Sequence, residues 1–310
     1  MDKLIDFSSY PVRVALNVLL QDKSTKKNII WATDPPEALP SNITDKSQIM
    51  PEQVIQAAEH TIQPRITKVA EDQFERTKKK GEVFTPAWIC NLMNNQCDEE
   101  WFSRKDVFNE PDGQFWTVTP PPVIFPKKKT WKHYVDSRRL EITCGEAPYL
   151  VSRYDASTGE YISPYHRIGI LDRKIRVVNE NTETFEDWFK WVLRSFQSVY
   201  GYEYQGNNLL IARVNLLLTF TEYYTERWRK EPEEKEILKI ANVIAWNLWQ
   251  MDGLKDTVPF GKPYEEFKQL SLFGMFAEEE SSEAEAVPCR IYDWRKDNSM
   301  LFMNIKKEGQ

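Results

Sequence analysis

Short extended runs and helical-period runs take turns between residues 140 and 253, and that alternation leaves few architectures open. A stretch at Leu140-Glu141-Ile142 enters Thr143-Cys144-Gly145-Glu146-Ala147-Pro148. This reads as a strand and a tight turn, after which Tyr149, Leu150, Val151 and Tyr154 are expected to open a helix. Phe185, Trp188, Phe189, Val192, Leu193 and Phe196 then recur at the spacing of one apolar helical stripe, ending before Tyr200-Gly201. Tyr202-Glu203-Tyr204 reads as a short strand, and Asn207 as the cap of a long helix through Leu209, Leu210, Ala212, Val214, Leu216, Leu217 and Phe220. A charged helix near 231–241 leads to Val243, Ile244, Ala245, Trp246, Leu248 and Trp249, expected as a third sheet element before Met251-Asp252-Gly253. Such alternation predicts an α/β sheet.

Upstream, residues 50–80 carry apolar side chains at broadly helical spacing, interrupted by Pro64 and ending in Lys78-Lys79-Lys80-Gly81. The segment 111–131 contains Pro120-Pro121-Pro122 and cannot continue a helix. The expected division is therefore a mainly helical N-terminal domain over 1–130, a sheet domain over 131–260, and an acidic linker with a C-terminal, partner-contacting segment over 261–310. With 310 residues, 41% of them apolar, the chain has enough material for a sizeable core. The 41 basic and 47 acidic side chains give −6, so the whole-chain field does not attract a polyanion. No apolar run approaches the roughly 18 to 20 residues of a membrane span, and the start shows no cleavage site, so a cytoplasmic location is expected. Cys90, Cys97, Cys144 and Cys289 lack paired spacing, and His60, His133 and His166 lie far apart, which argues against structural zinc and a disulfide framework. The common hydrolase, zinc-protease and phosphate-loop motifs are missing.

Three features carry possible chemistry. The turn from Glu141 to Pro148 suits close approach of a ligand to backbone N–H groups, although alone it more often marks an ordinary βα turn. Glu203, at the end of the second strand, is placed to accept from two ribose hydroxyls, and is equally well an exposed strand-end carboxylate. Asp252 follows the third apolar run, where it could accept from an adenine amine, but Asp-Gly turns are commonplace. Their order on successive βα units is what a crevice beyond the strand ends requires. The clusters Lys78–Lys80 and Lys127–Lys129 are more often solvated loops than phosphate contacts.

One more segment gives this order a direction. Gly81-Glu82-Val83-Phe84-Thr85-Pro86-Ala87-Trp88-Ile89 is similar to the G-x-x-[FY]-T-P element found upstream of the catalytic domain in adenine-specific DNA methyltransferases. With it, residues 50–255 resemble the N6-adenine DNA methyltransferases of restriction-modification systems, especially the helical-domain-first group that includes type I modification subunits and fused restriction-methylase enzymes. The resemblance implies an incomplete Rossmann-like S-adenosylmethionine-dependent methyltransferase sheet behind a mainly helical N-terminal domain. It implies that Phe84, Thr85 and Pro86 pack against S-adenosylmethionine, and that Glu141, Thr143, Cys144, Gly145 and Ala147 form the methionine-binding turn. Glu203 would take the ribose, Tyr204 would lie against the adenine, and Asp252 would hold its amine.

The chain departs from that family in two places. Glu146 and Ala147 stand where Ser and Gly are usual, and the catalytic [DNS]-P-P-[YFW] tetrapeptide does not follow Asp252. The only similar string, Asp34-Pro35-Pro36-Glu37, lies far upstream with Glu in the aromatic position and reads as a loop. The tetrapeptide grips the amine of a flipped adenine while an aromatic ring stacks on it, so this chain is expected to hold the methyl donor without presenting the acceptor, with no catalytic residue of its own. The resemblance then implies a split enzyme of a restriction-modification or phage-defence system. A partner subunit would carry the tetrapeptide, the remaining strands and the target-recognition domain, and the assembled complex would act on double-stranded DNA. The half sheet would leave an unpaired strand edge and an uncovered apolar face. Two readings compete: an inactive methyltransferase-like scaffold or regulator of a restriction complex, and a metal-dependent nuclease using Glu266-Phe267-Lys268 with Asp252 and Asp256, a weak signal in so charged a chain.

Overall fold

The computed structural model describes residues 4–36, 38–56, 62–67, 85–263 and 286–308. Its elements in chain order are α1 (Val12–Leu20), α2 (Pro51–Gln56), α3 (Ala87–Phe102), a hairpin of β1 (Asn109–Asp112) and β2 (Phe115–Val118), α4 (Trp131–Asp136) and β3 (Arg139–Glu141). They continue with α5 (Ile170–Asn181), α6 (Phe185–Gln197), β4 (Val199–Glu203), α7 (Gly206–Trp228), α8 (Glu234–Asn247) and β5 (Leu248–Gln250). A second hairpin, β6 (Arg290–Asp293) and β7 (Asn298–Leu301), and α9 (Phe302–Glu308) close the described chain. The architecture is mixed α/β, and β3, β4 and β5 form a parallel sheet in that order. No described helix is long and apolar enough to cross a membrane.

The register aligns the carboxyl ends of the three strands. Glu141 pairs with Gly201, and Glu203 with Gln250, so the segments after β3, β4 and β5 leave the sheet on one side. The helices that connect the strands bury their apolar stripes against them. Trp188, Val192 and Phe196 of α6 and Leu209 to Leu217 of α7 join a core that also takes in Ile5, Phe7, Leu16 and Leu19 from the N-terminus. Two buried basic side chains pin this core by hydrogen bonds to backbone carbonyls and one hydroxyl. Arg213 donates to Leu248 O at 2.6 and 3.0 Å, to Gln21 O at 2.9 Å and to Leu19 O, which ties the ends of α8 and α1 to one helix. Lys174 donates to Val135 O at 3.1 Å and to Ser198 Oγ at 2.6 Å, which joins the end of α4 to the entry of β4. Burial pushes Lys174 well below the usual ammonium range.

Three local expectations change. No helix opens at Tyr149. The carbonyls of Tyr149 and Leu150 instead accept from Ile170 N and Leu171 N at 2.9 Å, and Ser152 N donates to the Asp172 carboxylate at 2.9 Å, so the start of α5 captures groups that a helix at 149 would need. The run Val243 to Trp249 is mostly not strand. A capping box of Glu233 and Glu236 starts α8, which continues through Asn247 and leaves only Leu248–Gln250 for the sheet. Asn207 lies inside the first turn of α7, whose N-cap is Gln205.

The apolar face expected to lie bare is also covered. Ile291 of β6 and Phe302 of α9 pack on Tyr200, Trp249 and Met251, with Trp249 and Phe302 rings 5.0 Å apart. The outer side of β5 is flanked by the N-terminal segment, where the Gln250 amide exchanges hydrogen bonds with Ile30 N at 2.9 Å and Ile30 O at 2.8 Å. Among the described residues the other edge of β3 pairs with nothing, and Leu140 and Ile142 are exposed there. Asp34 to Pro36 form no regular element, whereas Glu37 and Glu266-Phe267-Lys268 lie outside the described residues.

The N-terminal segment approaches so closely that Gly206 is obligatory. Gly206 N donates to Trp31 O at 3.0 Å, and a Cβ on Gly206 would stand 1.9 Å from the Ile30 carbonyl oxygen. Backbone cannot yield as a side-chain tip can. Gly206→Ala is expected to lower stability by about 2–3 kcal/mol in urea titration, the upper part of the range for overpacking.

Candidate functional site

The turn after β3 is built from backbone conformations that L-residues avoid. Thr143, Gly145 and Ala147 have φ of 47°, 53° and 64°. Each non-glycine residue there costs about 1–2 kcal/mol, a strain that tends to persist at functional sites. Ala147 takes the left-handed φ with its methyl fully buried. Three bonds hold the turn: Cys144 N donates to Tyr202 O at 2.8 Å, Ala147 N to Cys144 O at 2.7 Å, and Gly145 N to Glu203 Oε2 at 2.9 Å. Glu203 Oε1 accepts from Gln205 N at 3.0 Å. One carboxylate thus joins the turn after β3 to the turn after β4.

Beyond these strand ends lies a cavity of about 1110 Å³, slightly above the usual range of about 300–1,000 Å³ for small-molecule sites. Its floor is the turn with Glu141, Thr143, Cys144, Gly145 and Glu146. One wall is Glu203, Tyr204, Gln205 and Asn208, and another is the α3 face of Met93, Asn94, Cys97 and Glu100, with Thr85 at its head. Of the residues expected at a site, Thr85, Glu141, Thr143, Cys144, Gly145, Glu203 and Tyr204 therefore share one cavity. Ala147 packs beneath the floor. Pro86 is the N-cap of α3, and Phe84 lies outside the described residues. Asp252 is not in the cavity wall; its Oδ1 accepts from Leu254 N at 3.0 Å and Lys255 N at 3.3 Å within its own turn.

The cavity is acidic. Glu100, Glu141, Glu146 and Glu203 line it, and no Lys, Arg or His does among the described residues. Burial pushes the Glu141 carboxyl up to about 8, against the pull of backbone donors at Tyr149 N and Leu150 N, while the nearby Glu203 charge adds to the rise. Burial also drives the Cys144 thiol well above its usual range. Among the described residues no cluster of His, Cys, Asp and Glu could hold a metal ion.

Several residues of the site are not evident in the sequence. Asp155 Oδ2 accepts from Ala87 N at 2.8 Å and so fixes the start of α3 beside Thr85. Tyr154 donates to Glu146 Oε2 at 2.8 Å, while Asn215 reaches both Glu146 O and the Tyr154 hydroxyl. Gln205 walls the cavity with its Oε1 unpaired among the described residues. An Asx-type signal in Asp155-Ala156-Ser157 was available for the first; the others depend on long-range packing. Comparison with models of protein families, with curated proteins and with solved structures gives no match.

The raised Glu141 carboxyl makes stability pH-dependent with a definite sign. Between its unfolded value near 4.3 and its folded value near 8, the folded chain holds a proton that the unfolded chain does not, so stability falls as pH rises through that window. The slope for one group is at most about 1.4 kcal/mol per pH unit. Glu141→Gln is expected to flatten this part of the profile and to be relatively more stable at pH 8 than at pH 5, as measured by thermal unfolding across that range.

Proposed function

We propose that this chain is the S-adenosylmethionine-binding subunit of a split, site-specific DNA adenine-N6 methyltransferase, within a Rossmann-like sheet that a partner subunit completes. The observation that carries the reading is the make-up of the cavity wall: Glu100, Glu146 and Glu203, with no Lys, Arg or His among the described lining residues, at the carboxyl ends of parallel strands. Such a field disfavours the phosphates of a dinucleotide and favours a ligand bearing positive charge, as the sulfonium and ammonium groups of S-adenosylmethionine do. Thr85 and Glu203 stand on opposite walls, and the turn at Gly145 lies between them, as the resemblance in sequence implies for the donor's amino-acid end and ribose.

In this reading the chain's own residues bind and orient. Glu203, at the end of β4 in the cavity wall, accepts the ribose hydroxyls. The Tyr204 ring, edge-on to Phe260 at 6.2 Å between centroids, offers an apolar side to the adenine. The acceptor base and its catalytic tetrapeptide come from the partner, and the edge of β3 that pairs with no strand among the described residues suits an added strand.

The test is methyl transfer from labelled S-adenosylmethionine to double-stranded DNA by this chain, by the product of the adjacent reading frame, and by both together. Transfer by the pair alone supports the split enzyme; donor binding without transfer in any mixture favours the scaffold. Glu203→Gln, which sets an amide donor against one of the two backbone N–H groups, is expected to weaken donor binding at least about 10- to 100-fold in calorimetry and to lower the unfolding temperature measured beside it.

A further inference from the structure

We infer that Gln205, and not Asp252, reads the base edge of the adenosyl ligand. The inference rests on the donor-binding reading above and adds a specificity-determining residue to it. Asp252 already uses Oδ1 on the N–H groups of its own turn, its Oδ2 lies 4.0 Å from the Lys255 ammonium, and it does not line the cavity. Gln205 is 8% exposed, stands in the cavity wall beside Tyr204 and Asn208, and has no donor for Oε1 among the described residues. A buried acceptor left without a partner costs about 1–3 kcal/mol, so a ligand that donates to it recovers that cost.

Position and chemistry select the ligand group. The backbone N–H of Gln205 donates to Glu203 Oε1 at 3.0 Å, which sets its side chain next to the carboxylate assigned to the ribose. A base attached to that ribose therefore arrives at Gln205. A glutamine amide presents an acceptor and a donor side by side, which matches the exocyclic amine and ring N7 of adenine in a bidentate pair. Because the pairing uses both ends of the amide, it does not depend on which end is drawn as oxygen.

The experiment is calorimetric titration of the full chain and two variants with three probes: S-adenosylhomocysteine, its counterpart lacking the 6-amino group, and its 7-deaza counterpart. The unaltered chain is expected to bind the first at least 10-fold more tightly than either analogue. Gln205→Leu loses both preferences. Gln205→Glu, which keeps an acceptor but has no N–H, retains the preference for the amine and loses that for N7, so it decides the matter even if the leucine variant does not fold. An amine preference that survives in Gln205→Leu, an N7 preference that survives in either variant, or an amine preference that instead disappears in Asp252→Asn overturns the role of Gln205 and leaves the donor site standing. Failure of the unaltered chain to bind any of the three overturns both.

Discussion

The Glu203 carboxylate is shared between Gly145 N–H and Gln205 N–H, and through it the ends of two adjacent parallel strands become one surface. Without that tie the turn after β3 would lose the bond at Gly145, between its two left-handed non-glycine residues, Thr143 and Ala147. The tie also places a nearly buried charge at the head of a cavity whose other acids include a carboxyl raised to about 8. The proposed donor, with its hydrogen-bond donors and positive charge, suits that lining, and the cavity's shape follows from the parallel register beneath it.

That register is secured far from the cavity. Arg213 gathers carbonyls from the ends of α1 and α8 and from Leu248, and Gln250 clasps the N-terminal segment against β5. On the other side, Arg173 pairs with Asp98 at 2.6 Å and also reaches Asn91, which holds α3 on α5 and so sets the cavity wall opposite the strands. Buried ion pairs of this kind are weak evidence of net stability, but breaking one leaves an uncompensated charge. The wall is fixed at both ends, by this pair and by Asp155 at Ala87 N.

The sequence made the parallel alternation legible because its signals are local: an apolar stripe from Phe185 to Phe196, a glycine turn at Gly145, a strand closing on Glu203. It misled where a local signal was overruled by a distant partner. Val243 to Trp246 look extended by composition, yet they form the last turns of α8, where Ile244 continues the stripe of Ile237 and Ile240 and Val243 and Ala245 are also buried. Tyr149 to Tyr154 look helical, yet α5 and Asp172 take their backbone groups. The tail after Val287, expected to contact a partner, covers Trp249 of this chain, because Ile291 and Phe302 become neighbours only once the β6–β7 hairpin has formed. Gln205 escaped notice for the same reason: nothing near it in sequence marks an amide as lacking a partner.

The central claim is that the space between the turn at Gly145, the Glu203 carboxylate and α3 admits an adenosyl group. Diffraction from crystals of the chain grown with S-adenosylhomocysteine addresses it most directly. The account predicts ligand density in that space, with the ribose hydroxyls within hydrogen-bond distance of Glu203. A ligand bound elsewhere, or a cavity that stays empty at saturating ligand, would contradict it.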